Sequence, residues 1–301
     1  MKRLTAIGVA HLLIVIALIT PSCAQSTPTF KDVAYDDVHP AQRLDVYQAQ
    51  SDQPTPAMVF FHGGGWSGGS KEHVPGWLLR LAAENKASVV AVEYRFTYVA
   101  THPAQVNDCL RAIQFIRQNA KKWNIASDKI GVTGGSAGGH LSAYVALADD
   151  AADPDSTDPV ETQSSRVACA VSFAGPTDWS LLKSIDHQHP AYRQLIGYQP
   201  GTPAGEMDAA KMTDVSPISF VSKDDPPMMQ VHGDADDIVP IEHAYNLDKA
   251  LKSVGVECEL VTIPNANHSV ANAGDNVAKQ ATRFVEDTCL ANPSNFRSSL
   301  Q

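Results

Sequence analysis

The sequence predicts an α/β fold with a mostly parallel central sheet and helices on both faces. Apolar runs rich in β-branched residues alternate with segments of helical periodicity along most of the chain, which is the order that such a fold requires. The 301 residues are 44% hydrophobic and 19% charged, a globular balance that supplies a sizeable core. Because no low-complexity linker divides the chain, we expect one domain over residues 25–301.

Six apolar runs have the composition of buried parallel strands, and they lie at residues 57–62, 88–95, 129–134, 167–175, 226–233 and 257–264. Residues 43–49 instead alternate with period two before the first buried run, which predicts an antiparallel edge strand. Amphipathic helices are predicted at residues 103–122, 241–254 and 274–290.

The alternation stops at about residues 177–223, a segment rich in Pro, Gly, Asp and His. Long insertions in compact domains are usually lids or binding loops. We therefore expect a lid-like or pocket insertion here, over the carboxyl ends of the strands, where open α/β sheets bind ligands.

Residues 1–24 have the order of a secretory signal peptide, with basic MKRL, an apolar run at Ala6–Ile19 and small residues up to Ala24. The run is shorter than the roughly 20 residues that span a bilayer. We expect export to the periplasm or the extracellular space. In the alternative, Cys23 is lipidated and holds the protein at a membrane, although Thr20 stands where such a signal has an aliphatic residue.

Cysteines and charge exclude several functions. The net charge is −10 without a basic cluster, so nucleic-acid binding is not expected. Beyond the signal, Cys109, Cys169, Cys258 and Cys289 allow three full disulfide pairings in an oxidising compartment. Cys258–Cys289 is the preferred pair, and buried free thiols are the alternative. No two of these cysteines, and no cysteine with a histidine, lie at metal-ligand spacing, so a metal is not predicted. No cofactor is predicted either.

A G-x-S-x-G motif places Ser136 between a predicted strand and a predicted helix. This is the context of a nucleophile elbow, in which a sharp turn exposes the serine hydroxyl at the top of the sheet. The alternative is a glycine-rich turn that binds an anion at the helix N-terminus.

The segment His62-Gly63-Gly64-Gly65-Trp66 directly follows the first buried strand. In this position it predicts an oxyanion loop, with the N–H groups of Gly64, Gly65 and Ala137 as donors and Gly63 as the less favoured one. A merely flexible glycine loop is the alternative.

A serine nucleophile needs a histidine base, and in enzymes with a nucleophile elbow the base follows the acid along the chain. His268 is the predicted base, because a short loop after the last strand carries it. His243 is the alternative, but it opens a helix and is expected to cap that helix or face solvent.

The predicted acid is Asp236, the third residue after the turn that ends a strand. Asp234 lies in that turn, and Asp237 begins the run to the next helix. Asp178 after the preceding strand is the alternative acid, unless it serves only to form a turn.

Other residues have weaker interpretations. Trp66 and Trp179 are predicted as walls of a substrate pocket, with packing under the insertion as the alternative. His140 is expected to be structural. Asp186, His187 and His189 resemble a metal cluster without a ligand geometry, so no metal is assigned to them. Contacts that brace the top of the sheet are expected from Glu93, Arg95 and Asp108.

These motifs in this order resemble the α/β-hydrolase carboxylesterases, specifically the bacterial feruloyl-esterase-like branch. The similarity covers HGGGW, GGSAGGHL, GPTD, SPISFVSKDDPP and HGDADDIVP, and extends from about residue 30 to residue 290. It implies an α/β-hydrolase fold and ester hydrolysis through an acyl-enzyme on Ser136, with Asp236 and His268 completing a triad. The loop NANHSV departs from the Gly-His-Gly context usual in such proteins, which affects how the loop packs.

The predicted function is that of a secreted serine esterase acting on short acyl or carbohydrate-linked esters, such as acetyl or feruloyl esters. Its partner would be a small-molecule or polysaccharide ester. Two alternatives use the same fold, namely an amide hydrolase with the same triad and a non-catalytic binding protein. Substrate identity, acyl length and oligomeric state are not predicted.

Overall fold

A computed structural model describes residues 27–184, 189–270 and 274–290. Eight strands form one sheet in the order β1-β2-β4-β3-β5-β6-β7-β8. The strands are β1 (Phe30–Ala34), β2 (Arg43–Tyr47), β3 (Thr55–Phe61), β4 (Ser88–Val92), β5 (Ile125–Gly135), β6 (Cys169–Phe173), β7 (Met228–Gly233) and β8 (Cys258–Ile263). The predicted signal peptide and Cys23 lie outside the described residues.

The helices alternate with the strands from β3 onward. They are α1 (Gly76–Ala83), α2 (Ala104–Gln118), α3 (Ala137–Leu147), α4 (Pro190–Leu195), α5 (Ala209–Asp214), α6 (Glu242–Ser253) and α7 (Asp275–Val285), and a π-helical turn (Glu286–Leu290) follows α7. Strands β3 to β8 are parallel, so the predicted mostly parallel sheet is confirmed. Across the three described ranges, no helix combines the length and the apolar character that crossing a membrane requires.

The segment predicted as an edge strand, β2, is antiparallel as expected but does not lie at the edge. It pairs with β4 on one side and with β1 on the other. The edge strand β1 has the sequence FKDVA and no buried position, so it lacks the apolar pattern by which a strand is recognised. Helix α1 was likewise not predicted.

The helices cover both faces of the sheet, as predicted. Alternate side chains of β3 point to opposite faces. Val59 packs on one face with α2, α3 and α6, whereas Phe60 packs on the other face with α1 and α7.

The preferred disulfide pairing, Cys258–Cys289, is wrong. Cys289 is bonded to Cys169 at the start of β6, with the two Cα atoms 5.8 Å apart. The π-helical turn that follows α7 places Cys289 on the same sheet face as Cys169, whereas Cys258 points to the opposite face. Cys258 and Cys109 are buried free thiols.

Candidate active site

The turn between β5 and α3 holds Ser136 in an unusual backbone conformation. Its φ is 56° and its ψ is −120°, a combination that non-glycine residues rarely adopt. The Ser136 N–H donates to the carbonyl of Phe173 on β6 at 2.8 Å, and the N–H of His140 donates to the Ser136 carbonyl at 3.0 Å. These bonds fix the turn, and strain of this kind is concentrated at functional sites.

Two glycines of the motif are required by close approach of backbone. A Cβ atom on Gly134 or on Gly138 would clash with the carbonyl oxygen of Phe61 at the end of β3. The absence of these side chains therefore allows α3 to begin directly against β3, which brings the serine beside the loop that follows β3.

The structure brings Ser136, His268 and Asp236 together from three separate loops. The His268 Nε2 lies 2.8 Å from the Ser136 Oγ, and the His268 Nδ1 lies 2.8 Å from the Asp236 Oδ2. The carboxylate is fully buried, while the His268 side chain is 19% exposed. In this arrangement the imidazole can accept the serine proton on one nitrogen while the other donates to the carboxylate.

Asp236 is held by more contacts than the one to His268. Its Oδ1 accepts the N–H groups of Ile238 and Val239, each at 2.9 Å, and its Oδ2 lies 3.4 Å from the Nε2 of His232. Burial raises the pKa of Asp236, but the hydrogen bonds from His232, His268 and the two backbone groups outweigh it and hold that pKa well below its ordinary value. The acid is therefore ionised throughout the neutral range.

The other candidate acids have different contacts. Asp234 is exposed, and its carboxylate accepts the N–H of Asn265, which fixes the loop that leads to His268. Asp237 is exposed. Asp178 accepts the N–H and the hydroxyl of Ser180 and caps a short 3-10 helix, so it has the turn-forming role that was its alternative interpretation.

His243 does not face solvent as expected, because the insertion covers it. It is fully buried, and its Nδ1 accepts the backbone N–H groups of Thr177 and Asp178 at 3.2 and 3.1 Å. Its ring stacks on Tyr192 of α4. His243 thus joins the insertion to α6 and lies outside the serine site.

The loop after β3 supplies backbone N–H groups beside Ser136. Gly63 and Gly64 line the same cavity as the serine, whereas Gly65 does not and its Cα faces Ala191 of α4. Within the described part of the chain, neither the Gly64 N–H nor the Ala137 N–H donates to an acceptor. Both groups therefore remain available to a substrate oxygen.

The cavity around the serine has a volume of about 550 Å³. Its apolar surface comes from Phe60 and Phe173 on the sheet, with Pro75 before α1 and Val270 after His268. The full lining is Phe60, Gly63, Gly64, His73, Pro75, Gly135, Ser136, Phe173, His268, Ser269 and Val270.

Trp66 and Trp179 are not walls of this cavity. They are 2% and 0% exposed, and their rings lie 5.9 Å apart in an aromatic cluster under the insertion. The indole N–H of Trp66 donates to the Nδ1 of His140, while the His140 Nε2 bonds to the Val215 carbonyl. Burial lowers the pKa of His140 to about 3, so it is a neutral, structural histidine as predicted.

The insertion approaches the site at His189, the residue that caps α4. Burial and the proximity of His268 both lower the pKa of His189.

Of the residues that resemble a metal cluster in the sequence, Asp186 and His187 lie outside the described residues. Among those that are described, no group of three or more His, Cys, Asp or Glu side chains is arranged to hold a metal ion.

The expected bracing contacts at the top of the sheet are present. Arg95 forms a bidentate ion pair with Asp108, in which the Arg95 Nη2 lies 2.7 Å from the Asp108 Oδ1. Glu93 contacts His62, the residue that precedes the three consecutive glycines after β3.

This sheet topology defines an α/β-hydrolase, together with a strained serine after β5 that is hydrogen-bonded to a histidine, which is in turn hydrogen-bonded to an aspartate. The family model described as BD-FAE matches residues 44–251. The chain belongs to the BD-FAE family.

Named relatives and solved structures agree with this assignment. The chain is 31% identical over 261 residues to the probable carboxylic ester hydrolase LipM of Mycobacterium tuberculosis, covering 85% of this chain and 59% of that protein. A truncated carbohydrate esterase from gut microbiota superposes with a TM-score of 0.73 at 26% identity, covering 89% of this chain and 99% of that one. An acetyl ester-xyloside bifunctional hydrolase from Caldicellulosiruptor lactoaceticus gives a TM-score of 0.69 at 29% identity, covering 81% and 87%.

These matches confirm the resemblance to feruloyl-esterase-like carboxylesterases. The chain spans about three fifths of the length of the curated relatives it matches, with shares of 59%, 58% and 61%.

Proposed function

We propose that this protein is a serine esterase that hydrolyses carboxylic esters through an acyl-enzyme on Ser136. The observation that carries the proposal is the unbroken chain of hydrogen bonds from the Ser136 Oγ through His268 to the buried Asp236, with 2.8 Å at each step. Names of relatives and neighbours, among them carboxylic ester hydrolases and carbohydrate esterases, support the same reaction.

In the proposed reaction, the Ser136 Oγ attacks the ester carbonyl carbon while the His268 Nε2 takes the hydroxyl proton. Asp236 stabilises the imidazolium that forms. The carbonyl oxygen becomes an oxyanion and accepts the N–H groups of Gly64 and Ala137. His268 then gives the proton to the departing alcohol as the bond between the carbonyl carbon and the alcohol oxygen breaks. In the second half, water attacks the acyl carbon while His268 takes its proton, and the bond to the Ser136 Oγ breaks as His268 returns the proton to that oxygen and the carboxylic acid leaves.

The proposed oxyanion site differs in one residue from the sequence prediction. Gly64 is retained because it lines the cavity, and Ala137 because it directly follows Ser136. Gly63 replaces Gly65 as the third candidate because Gly63 lines the cavity while Gly65 does not. Removal of one such donor typically costs about 2.7–4 kcal/mol of transition-state stabilisation.

The proposed substrates are esters with a short acyl group or a carbohydrate-linked ester group. The sheet side of the cavity is closed by Phe60 and Phe173, both 5% exposed, which favours a compact acyl group. Two structural neighbours, a carbohydrate esterase and an acetyl ester-xyloside hydrolase, support a sugar-linked alcohol.

We also propose export, as the N-terminal sequence predicts. The Cys169–Cys289 disulfide supports it, because disulfides persist in oxidising compartments and are rare in the cytosol.

The experiment is a comparison of initial rates for purified residues 25–301 and its Ser136→Ala variant. The substrates are p-nitrophenyl esters of increasing acyl length together with p-nitroacetanilide, the amide that matches the acetate. The proposal requires ester hydrolysis that is lost in the variant, with preference for short acyl chains. Faster turnover of the amide would identify an amide hydrolase, and a folded wild type inert on every substrate would favour a binding protein.

A further inference from the structure

A single carboxylate, that of Glu93, contacts both ends of the glycine loop, which we define as residues 63–69. The Glu93 Oε1 lies 2.9 Å from the Nε2 of His62, the residue before the loop. The Glu93 Oε2 accepts the backbone N–H of Lys71, two residues after the loop, at 3.2 Å. The side chain thus joins the two points at which the loop leaves and rejoins the sheet.

The backbone of Glu93 is itself firmly held. Its N–H donates to the Arg43 carbonyl at 2.9 Å, and its carbonyl accepts the hydroxyl of Tyr35, a side chain that is 1% exposed, at 2.7 Å. Parallel pairing aligns Phe61 of β3 with Val92 of β4, which places the following residues, His62 and Glu93, side by side. Glu93 is therefore a fixed point at the carboxyl end of β4.

The glycine loop needs such an anchor, because five of its seven residues are glycines. Glycine loses more conformational entropy on ordering than any other residue. Gly64, Gly65 and Gly69 all have positive φ, at 117°, 59° and 102°. Inside the loop, one backbone bond joins the Ser67 N–H to the Gly64 carbonyl.

The contacts at both ends extend the anchor into the sheet. The His62 Nδ1 lies 2.8 Å from the Gly63 carbonyl, and its ring stacks on Tyr94 with centroids 4.3 Å apart. At the other end, the Lys71 ammonium is buried and lies 2.8 Å from the carboxylate of Asp45 on β2. The Glu93 carboxylate connects these two anchored ends.

We propose that Glu93 is a positioning residue that fixes the glycine loop so that the N–H of Gly64 points at the substrate oxyanion. This inference rests on the proposed function and adds to it a residue outside the Ser136 cavity. Glu93 does not line that cavity, so it acts through the loop and not on the substrate.

The test compares Glu93→Ala, Glu93→Asp and Glu93→Gln. Alanine removes both contacts, and aspartate keeps the charge but is too short to span them. We expect kcat to fall about 10- to 100-fold in both, with KM within about threefold, because oxyanion stabilisation is realised in the transition state.

Glu93→Gln keeps the length of the side chain but removes its negative charge. Its Oε1 can accept the Lys71 N–H, while its amide N–H can donate to the His62 Nε2 when His62 carries its hydrogen on Nδ1. We therefore expect Glu93→Gln to keep kcat within about fivefold of the wild type. A Glu93→Asp variant as active as the wild type, or a Glu93→Gln variant as impaired as Glu93→Ala, would overturn the proposal.

Asp225→Ala is the matched control for a general loss of stability. Asp225 is a buried carboxylate that also accepts two hydrogen bonds, both from Ser222, but it precedes β7 at the opposite end of the sheet. We expect it to lower the melting temperature to a similar degree as Glu93→Ala while leaving kcat within about twofold. An equal loss of kcat in both variants would show that Glu93 has only a structural role.

A readout independent of catalysis separates this inference from the proposed function. Hydrogen–deuterium exchange is measured on peptides covering residues 62–71 in the wild type, Glu93→Ala and Asp225→Ala. Faster exchange there in Glu93→Ala alone supports the anchor, even if the wild type hydrolyses no ester and the proposed function fails. Unchanged exchange in Glu93→Ala overturns the anchor whatever the activity.

Discussion

Replacing Asp236 with asparagine should abolish most activity, because it should move the imidazole hydrogen of His268 from Nδ1 to Nε2. The Asp236 Oδ1 accepts two backbone N–H groups at 2.9 Å, so the oxygen of an asparagine amide would take that position. The amide NH₂ would then face the His268 Nδ1 in place of the Oδ2 at 2.8 Å and donate to it. His268 would carry its hydrogen on Nε2, which could no longer accept the proton of Ser136. Loss of this tautomer in a serine triad costs about 10⁴-fold in kcat, equivalent to about 5.4 kcal/mol.

The assay measures kcat and KM on p-nitrophenyl acetate together with the melting temperature of each variant. Asp234→Asn is the matched control, because Asp234 lies two residues away and its carboxylate accepts the backbone N–H of Asn265, a bond that the asparagine oxygen can also accept. We expect that control to stay within about threefold of the wild type. An Asp236→Asn variant that is folded and within tenfold of the wild type would refute the reasoning, and Asp178→Asn would then be tested as the alternative acid.

Three further predictions concern stability and specificity. Replacing Cys169 and Cys289 with alanine should lower the free energy of unfolding, measured by urea denaturation, by about 2–5 kcal/mol, because the disulfide joins residues 120 positions apart. A loss below about 1 kcal/mol would contradict this prediction. Burial lowers the pKa of His140 from 6.5 to about 3, so between pH 3 and pH 6.5 the unfolded state binds a proton that the folded state does not. The free energy of unfolding should therefore fall by up to about 1.4 kcal/mol per pH unit as the pH drops from 6.5 towards 3. His140→Gln should flatten that slope in urea titrations at each pH, and an unchanged slope would exclude His140 as its source. Phe173→Ala should open the cavity towards Trp77, whose ring centroid lies 6.1 Å from that of Phe173. The preferred p-nitrophenyl ester should then have a longer acyl chain, and the free energy of unfolding should fall by about 3–5 kcal/mol. An unchanged chain-length profile would contradict this prediction.

The residues of the serine site could be predicted because their local context is visible in the chain. The motif around Ser136 lies between a clear strand and a helix, and His268 and Asp236 follow the last two strands in the order that this fold uses. Parallel strands end at one edge of the sheet, so residues just beyond them meet there. The structure brings all three together.

The features that sequence reasoning missed depend on which face or which neighbour a residue meets. The partner of Cys289 is set by the sheet face that α7 crosses, and strand composition does not reveal that face. His243 is buried because the insertion covers it, and Trp179, itself part of the insertion, is buried because it packs on Trp66 and Tyr192. The short helices of the insertion have no periodicity that predicts this packing. The role proposed for Glu93 could not be inferred from the sequence, because it depends on the register of β3 against β4, which places Glu93 beside His62.

The central claim is that Ser136 is the nucleophile that becomes acylated, and active-site labelling tests it most directly. The protein is incubated with a reactive organophosphonate, and the adduct is counted by intact mass and located by peptide mass spectrometry while residual esterase activity is measured. We predict one adduct per chain, on Ser136, with activity lost in proportion to labelling and no adduct in His268→Ala on the same time scale. Full esterase activity without an adduct, or an adduct on another residue that accounts for the loss, would contradict the claim.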